Sequence, residues 1–546
     1  MLLLSAGEAL GDPRISPDLD QVIKTNPSQT VSVIVQYKSA PPQSNGGLLG
    51  GAVQLLGGLV RTVFSLLNIV TVTLTARDVP ALLDDANIDY VSLDRPVRAT
   101  LDYAVPAIGG EIVTSYGLSG RGIGIAVLDS GIYPHRDLQA KISTASRVIY
   151  RQSFVPHTRE DEYGHGTHVA GIAAGNGKSS TGVAYNKTYR GVAPEANLID
   201  LRVLDANGAS SDSIVIAAIH RAMELKNRYN IRVLNLSLGR PIHESYNRDP
   251  ICKAVEAAWK NGIIVVVAAG NLGRNGYATV LSPGNSPYAI TVGAMKTMST
   301  PPRTDDRVAS YSSKGPTFID LGAKPDIVAP GNLIVSLFAP GSTLINMYPA
   351  NVVPTSEYAK TGSTAQTAYA RFSGTSMAAP VVSGAVALLL DREPWLSPDT
   401  VKARLMKTAS KNFPVLSTSI EPSTGITYVS TYDLFTIGAG YLDVAAALAN
   451  HEMANGRALS PRLVYDAATA RAYFIKDAGL IWSESGSWSN TAVWGTQVLE
   501  PAATTAVWGT TAVWGSTAVW GTTAVWGTTA VWGTTAVWGT TGYGEP

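Results

Sequence analysis

Between residues 119 and 450, short apolar runs rich in β-branched residues alternate with helical patterns. The runs are GIGIAVLD (122–129), ANLIDLRVLD (196–205), IRVLNLSLG (231–239) and GIIVVVAAGN (262–271). Between them lie SIVIAAIHRAMELKNRY (213–229) and ICKAVEAAWKNG (251–262). A strand with almost no polar side must be covered on both faces. Strands separated by helices pair in parallel, so this stretch predicts a three-layer α/β domain, a parallel sheet with helices on both faces. Ligands bind such sheets in the crevice beyond the carboxyl ends of the strands, and the chemistry is expected there.

Polar residues stand at those ends. Asp129 closes the first run, and Asn271 follows the fourth. His165 and His168 lie in GHGTHVAGIAAG, where a helix of small residues begins behind a glycine-flanked approach. Ser376 lies in FSGTSMAAPVVSGAVALLL, at the start of a long apolar helix. A serine there presents its hydroxyl outward, and its N–H belongs to the first turn, where the helix supplies no partner. Such an N–H beside a nucleophile, together with a neutral amide such as Asn271, can stabilise a developing oxyanion. The chain order Asp, His, Ser is one of the known orders of a catalytic triad. Two competing readings fail on spacing. The glycines of GRGIG precede their strand, whereas a phosphate-cradling loop follows one, and a zinc helix wants H-E-x-x-H rather than two histidines three apart.

The segments VLDSGI, GHGTHVAG, VAAGN and GTSMAAP together resemble the catalytic blocks of the subtilisin-like serine proteases (subtilases), over roughly residues 115–450. The resemblance implies a serine endopeptidase acting through an acyl-enzyme. Ser376 would be the nucleophile, His165 the general base and then acid, and Asp129 the carboxylate that orients the imidazole. Asn271 and the Ser376 N–H would form the oxyanion hole, and His168 would pack along its helix. It further implies that Leu236, Ser237, Leu238 and Gly239 on one side, and NGAS (207–210, with Gly208, Ala209 and Ser210) on the other, flank a bound peptide. Ala268, Ala269 and Gly270 would line the primary specificity pocket or simply permit close packing. No cofactor is implied for the chemistry. A structural calcium ion is common in the family, and no ligands for it are assigned.

The resemblance also organises the rest of the chain. Residues 1–28 are expected to be a leader remnant or linker, and 29–98 a small α+β inhibitor-type propeptide. That unit carries a half-buried strand (29–37), an apolar helical stretch, a strand at 68–75, a short helix and a third strand (IDYVSLD). Residues 99–450 would be the peptidase domain, in which the long stretch 338–370 is expected to be a surface loop. The implied scheme is a zymogen that cuts itself between about Val97 and Tyr103, with its own propeptide as intramolecular inhibitor and a protein or peptide as substrate. Residues 451–503 form a linker with loose tryptophan repeats, and 504–546 a TTAVWG repeat. In that repeat Trp508, Trp514, Trp520, Trp526, Trp532 and Trp538 recur every six residues, so that any strand would carry them on one face. The repeat is either a surface-attachment segment or a slippage-expanded tail removed on maturation. Competing functions are an exopeptidase on the same fold and a vestigial protease domain carrying that tail.

Composition bears on partners and location. Net charge is +1, without the basic surplus that nucleic acid requires. The apolar stretch 47–74 is interrupted by Gln54 and Arg61, which argues against a membrane span. The single cysteine, Cys252, falls in an apolar helical pattern and is expected to pack. An extracellular or cell-surface location follows from the resemblance.

Overall fold

The computed structural model describes residues 12–39, 58–99 and 117–466, apart from 301, 364, 422 and 423, together with 471–474, 479–483 and 493. The peptidase region is built on a mainly parallel sheet. Its strands are β6 (Gly124–Asp129), β7 (Val148–Ser153), β8 (Asn197–Arg202), β10 (Ile231–Leu236), β12 (Ile264–Ala268), β13 (Ile290–Lys296), β14 (Arg307–Val308) and β15 (Ile327–Pro330). They are ordered β14-β13-β12-β10-β6-β8-β7, with β15 also beside β13. Only β14 runs antiparallel. Every residue of β6 and β12 is buried, as the runs without a polar face require. After β6 the chain turns first to one side of the sheet (β7, β8) and then to the other (β10, β12, β13). This reversal opens a crevice at the carboxyl end of β6. Helices α2 (His165–Ala174) and α5 (Thr375–Arg392) pack against each other on one face. Helices α3 (Asp212–Tyr229) and α4 (Pro250–Lys260) pack together as a second pair. The three-layer expectation holds. Cys252 is buried in α4, as expected.

The N-terminal unit is a four-stranded antiparallel sheet, ordered β2-β3-β1-β4, of β1 (Thr30–Tyr37), β2 (Leu59–Phe64), β3 (Ile69–Thr75) and β4 (Ile88–Leu93). It departs from expectation in three ways. Residues 17–25, assigned by sequence to a leader or linker, form helix α1 (Pro17–Thr25), whose Leu19 is fully buried against the sheet. Part of the expected helical stretch is strand β2, while residues 40–57 lie outside the described residues. Strand β1 is buried along both faces, not one. Val33 and Val35 enter the unit's own core, and Ile34 joins Phe64 and Ile69 in the core of the peptidase region. The outer sheet face is thus docked on α3, where Phe64 lies 5.8 Å from the His220 ring. Asp94 caps α3 from outside, accepting the Ser213 N–H at 2.7 Å.

The stretch 338–370 is folded rather than an open loop. Tyr358 and Tyr369 are fully buried and meet edge to face, with Tyr189 against both. Leu344 N–H bonds the Tyr163 carbonyl, Thr343 N–H the Glu162 carbonyl, and Thr343 Oγ1 the Ala206 carbonyl. The insertion therefore braces the turn that leads into His165. In the C-terminal region Trp482 is buried and donates to the Leu459 carbonyl at 2.6 Å. Trp488, Trp494 and the whole TTAVWG repeat lie outside the described residues.

Candidate active site

Three elements bring their polar ends to the crevice. Asp129 ends β6, His165 opens α2, and Ser376 lies in the first turn of α5. His165 Nδ1 is 2.6 Å from Asp129 Oδ1, which also accepts the Ser130 N–H at 2.7 Å. Ser376 is locked to the end of β10. Its Oγ donates to the Ser237 carbonyl at 3.0 Å, and Ser237 Oγ donates to the Ser376 carbonyl at 2.7 Å. The Ser376 hydroxyl, expected to face outward, is buried, as are His165 and Asp129. Asn271 turns its Oδ1 toward Thr375, accepting the N–H at 2.9 Å and Oγ1 at 3.0 Å. That commits Oδ1 to the helix start and leaves Nδ2 as the donor end of the amide.

His168 plays no part in proton exchange at neutral pH. Burial first, and then the neighbouring His165, push its pKa down to about 3. Its ring packs edge-on to Phe372 with centroids 5.2 Å apart.

The glycines around His165 have geometric reasons. Gly164 sits at φ +97° as the residue before α2, and a Cβ there would lie 2.3 Å from Ser342 Oγ. At Gly166 the backbone conformation is ordinary, but a Cβ would lie 2.2 Å from the Gly131 carbonyl oxygen and 3.1 Å from Asp129 Cβ. Only glycine lets α2 approach β6 closely enough for His165 to reach Asp129. Gly166→Ala is therefore expected to destabilise the fold by about 1–3 kcal/mol and to lower kcat as well. Denaturant melts and peptide hydrolysis measure the two effects.

One residue was missed by the sequence reading. The buried carboxylate of Asp161 accepts four bonds. Its donors are Gly164 N–H (2.7 Å), Ser130 Oγ (2.8 Å), Thr167 N–H (2.9 Å) and Thr167 Oγ1 (2.5 Å). Ser130 Oγ in turn accepts the Gly166 N–H at 2.9 Å. Asp161 thereby satisfies orphan donors at the start of α2 and ties them to the residue next to Asp129.

Both expected rims of the peptide cleft meet the same strand. Residues 96–99 form β5 (Pro96–Ala99), the middle strand of a three-stranded antiparallel sheet. On one side it pairs with β11 (Leu238–Gly239), in the register Leu238 with Ala99 and Gly239 with Arg98. On the other side β9 (Ala209–Ser211) places Ser210 opposite Val97 and Ala209 opposite Arg98. Leu236 is the buried last residue of β10, two residues before the rim strand β11. Gly208 turns into β9 at φ +70°, under the Tyr163 ring. Ala268 and Ala269 are buried at the end of β12. Gly270, at φ +105°, would place a Cβ 2.7 Å from Leu281 Cγ, so close packing alone requires glycine there. Among the described residues no group of three or more His, Cys, Asp or Glu side chains is placed to hold a metal ion. No helix among them is long and apolar enough to cross a membrane.

Comparison with known sequences agrees with this geometry. The sequence model of the Subtilase family matches residues 120–433. The chain is 37% identical over 393 residues to serine protease AprX of Bacillus subtilis, spanning 70% of this chain and 83% of that protein. It is 32% identical over 386 residues to subtilisin NAT of Bacillus subtilis subsp. natto, spanning 69% and 84%. It is also 32% identical over 353 residues to an alkaline protease of Shouchella clausii, spanning 64% and 75%. A chain whose matched region holds a histidine–aspartate pair and a helix-start serine at the ends of one parallel sheet thus belongs to the subtilase family, as a serine-type peptidase whose chemistry needs no cofactor.

Proposed function

We propose that the protein is a secreted endopeptidase made as a zymogen, with Ser376, His165 and Asp129 as its triad. The observation that carries the zymogen reading is β5, seated between the two rims of the cleft as a peptide substrate would be, held by main-chain pairing on both sides. The pair of Ala99 with Leu238 stands next to Ser237, whose carbonyl holds the Ser376 hydroxyl, so the proposed cut falls just past Ala99. The scissile bond is then the one after Thr100. Residues 100–103 of the expected processing window lie outside the described residues. The N-terminal unit acts as inhibitor because its last strand fills the cleft while its sheet docks on α3.

In the reaction, His165 takes the Ser376 proton as the hydroxyl attacks the carbonyl, and returns it to the leaving amine. Asp129 holds the imidazole in one tautomer and stabilises the imidazolium. Asn271 Nδ2 and the Ser376 N–H receive the oxyanion. Ala268, Ala269 and Gly270 shape the primary pocket. A strand-binding cleft with a long non-primed side suits cutting within chains, not trimming short peptides from an end.

Intact-mass analysis and N-terminal sequencing of the purified full chain test this scheme. A new N-terminus at or within a few residues of Leu101 is expected. A chain that keeps its original N-terminus while hydrolysing casein would refute self-processing. Asn271→Ala is expected to lower kcat by about 10²–10³ with little change in KM, the size found for the oxyanion-hole asparagine of subtilisin. Steady-state hydrolysis of a chromogenic peptide measures the split.

A further inference from the structure

Upstream of the strand-paired residues, Arg95 is almost fully buried, 3% exposed, where the N-terminal unit meets the peptidase region. Its guanidinium is gripped by two carboxylates. From its own unit, Asp18 accepts Nε and Nη2, each at 2.8 Å. From the peptidase side, Glu244 accepts Nη1 through Oε1, and Nη2 through Oε2 at 3.0 Å. Tyr90 OH, again from the N-terminal unit, donates to Glu244 Oε2 at 2.9 Å.

Two features mark Glu244 as a receptor and not a structural anchor. Every hydrogen bond to its carboxylate among the described residues comes from the N-terminal unit, Tyr90 and Arg95. The neighbouring cation of the peptidase side, Arg240, makes no hydrogen bond to it. Arg240 is already held by Asp212 (2.8 Å twice) and by Asp249 (2.9 Å). Asp249 in turn caps α4 and accepts Ser282 Oγ. Asp212 and Asp249 thus claim Arg240, and departure of the N-terminal unit takes away Arg95, the cation bonded to Glu244. A substrate cation in the same place would restore that charge-assisted pair. The fork of Arg95 on Glu244 is the geometry in which a guanidinium is recognised best.

We infer that Glu244 forms a subsite for a substrate arginine placed three residues before the one paired with Gly239, the position Arg95 holds in the zymogen. The inference rests on the endopeptidase reading above, in which β5 occupies the substrate path. With Thr100 at the scissile bond, that arginine stands five residues ahead of it. Strand pairing reads main chain, so the arginine supplies selectivity that the pairing does not.

The test uses the self-processed enzyme from the full wild-type chain and two internally quenched peptides spanning residues 94–105, one natural and one carrying Arg95→Gln. The natural peptide is expected to have a kcat/KM at least about tenfold higher, from a charge-assisted pair. In the Glu244→Gln enzyme the ratio should fall to near one. Equal kcat/KM for the two peptides on wild type would overturn the subsite, whatever the variant does. A ratio kept in Glu244→Gln would overturn the role of that carboxylate. Hydrolysis of denatured casein runs alongside. If casein and both peptides stay intact, the endopeptidase reading fails and the subsite with it. If casein is cut and the peptides are not discriminated, only the subsite fails.

Discussion

Ser376→Ala is expected to lower kcat for peptide hydrolysis by about a millionfold and to leave the full chain uncut. The magnitude is the one found when the serine or histidine of the triad is removed from subtilisin, a relative of this chain. The structure gives the reason no neighbour can take over. Ser376 Oγ is the hydroxyl fixed at the end of β10 through its bond to the Ser237 carbonyl. The Ser237 hydroxyl is spent on the Ser376 carbonyl. Cys252, the chain's single thiol, is buried in α4, where desolvation and the nearby Asp249 push its pKa well up. A thiol held protonated is a poor nucleophile. The methyl side chain of alanine leaves the oxyanion donors and the cleft in place, so about 10³–10⁴-fold catalysis over water should survive. Steady-state hydrolysis of a chromogenic peptide measures the first effect, and intact mass the second. A loss below a hundredfold would mean that another nucleophile carries the reaction.

What the sequence disclosed follows from how local each signal is. Strands β6, β8, β10 and β12 were legible because a strand buried on both faces needs a mainly apolar run, interrupted only by residues such as Asp200 and Asn235, and such a run needs no knowledge of its neighbours. Asp129, His165, Asn271 and Ser376 were legible because each stands where such a run or a small-residue helix begins or ends. Asp161 was not. In DEYGHG an acid four residues before a histidine looks like a loop carboxylate, and its four donors are assembled only when the turn folds back on Ser130. Strand β2 was misread as helix because 47–64 lacks polar alternation. It is an edge strand with apolar Leu59 and Val63 at the surface and only Phe64 buried, so burial imposes no alternation on it. Glu244 was equally hidden. HESYNRD looks like a polar surface loop, and the hydrogen-bond partners of Glu244 come from the N-terminal unit, far off in sequence. The signals lost to the sequence are those created by tertiary contact, within the peptidase region for Asp161 and between the two units for Glu244.

Asp129→Asn is expected to lower kcat by about 10⁴ with the fold intact, the loss that follows when a triad aspartate becomes neutral. Asp129 Oδ1 serves two donors at once, His165 Nδ1 at 2.6 Å and the Ser130 N–H at 2.7 Å. An asparagine that keeps its oxygen on Ser130 preserves the shape but carries no charge to offset the imidazolium as His165 takes the serine proton. If the amide flips, its NH2 faces Nδ1, and the favoured tautomer then puts a proton on Nε2, where a base is needed. Either way the chemical step slows while the cleft, built from main chain on both rims, still binds substrate. The expected signature is a collapse in kcat at nearly constant KM. Thermal melts should shift by no more than the loss of one hydrogen bond, about 1 kcal/mol. Asp129→Glu should not restore the rate, because β6 and Gly166 leave no room for a longer side chain to reach the same nitrogen. A loss under about tenfold in Asp129→Asn would show that the imidazole is oriented by some other group. A large loss accompanied by unfolding would instead place Asp129 among the structural carboxylates of the α2 turn, with Asp161.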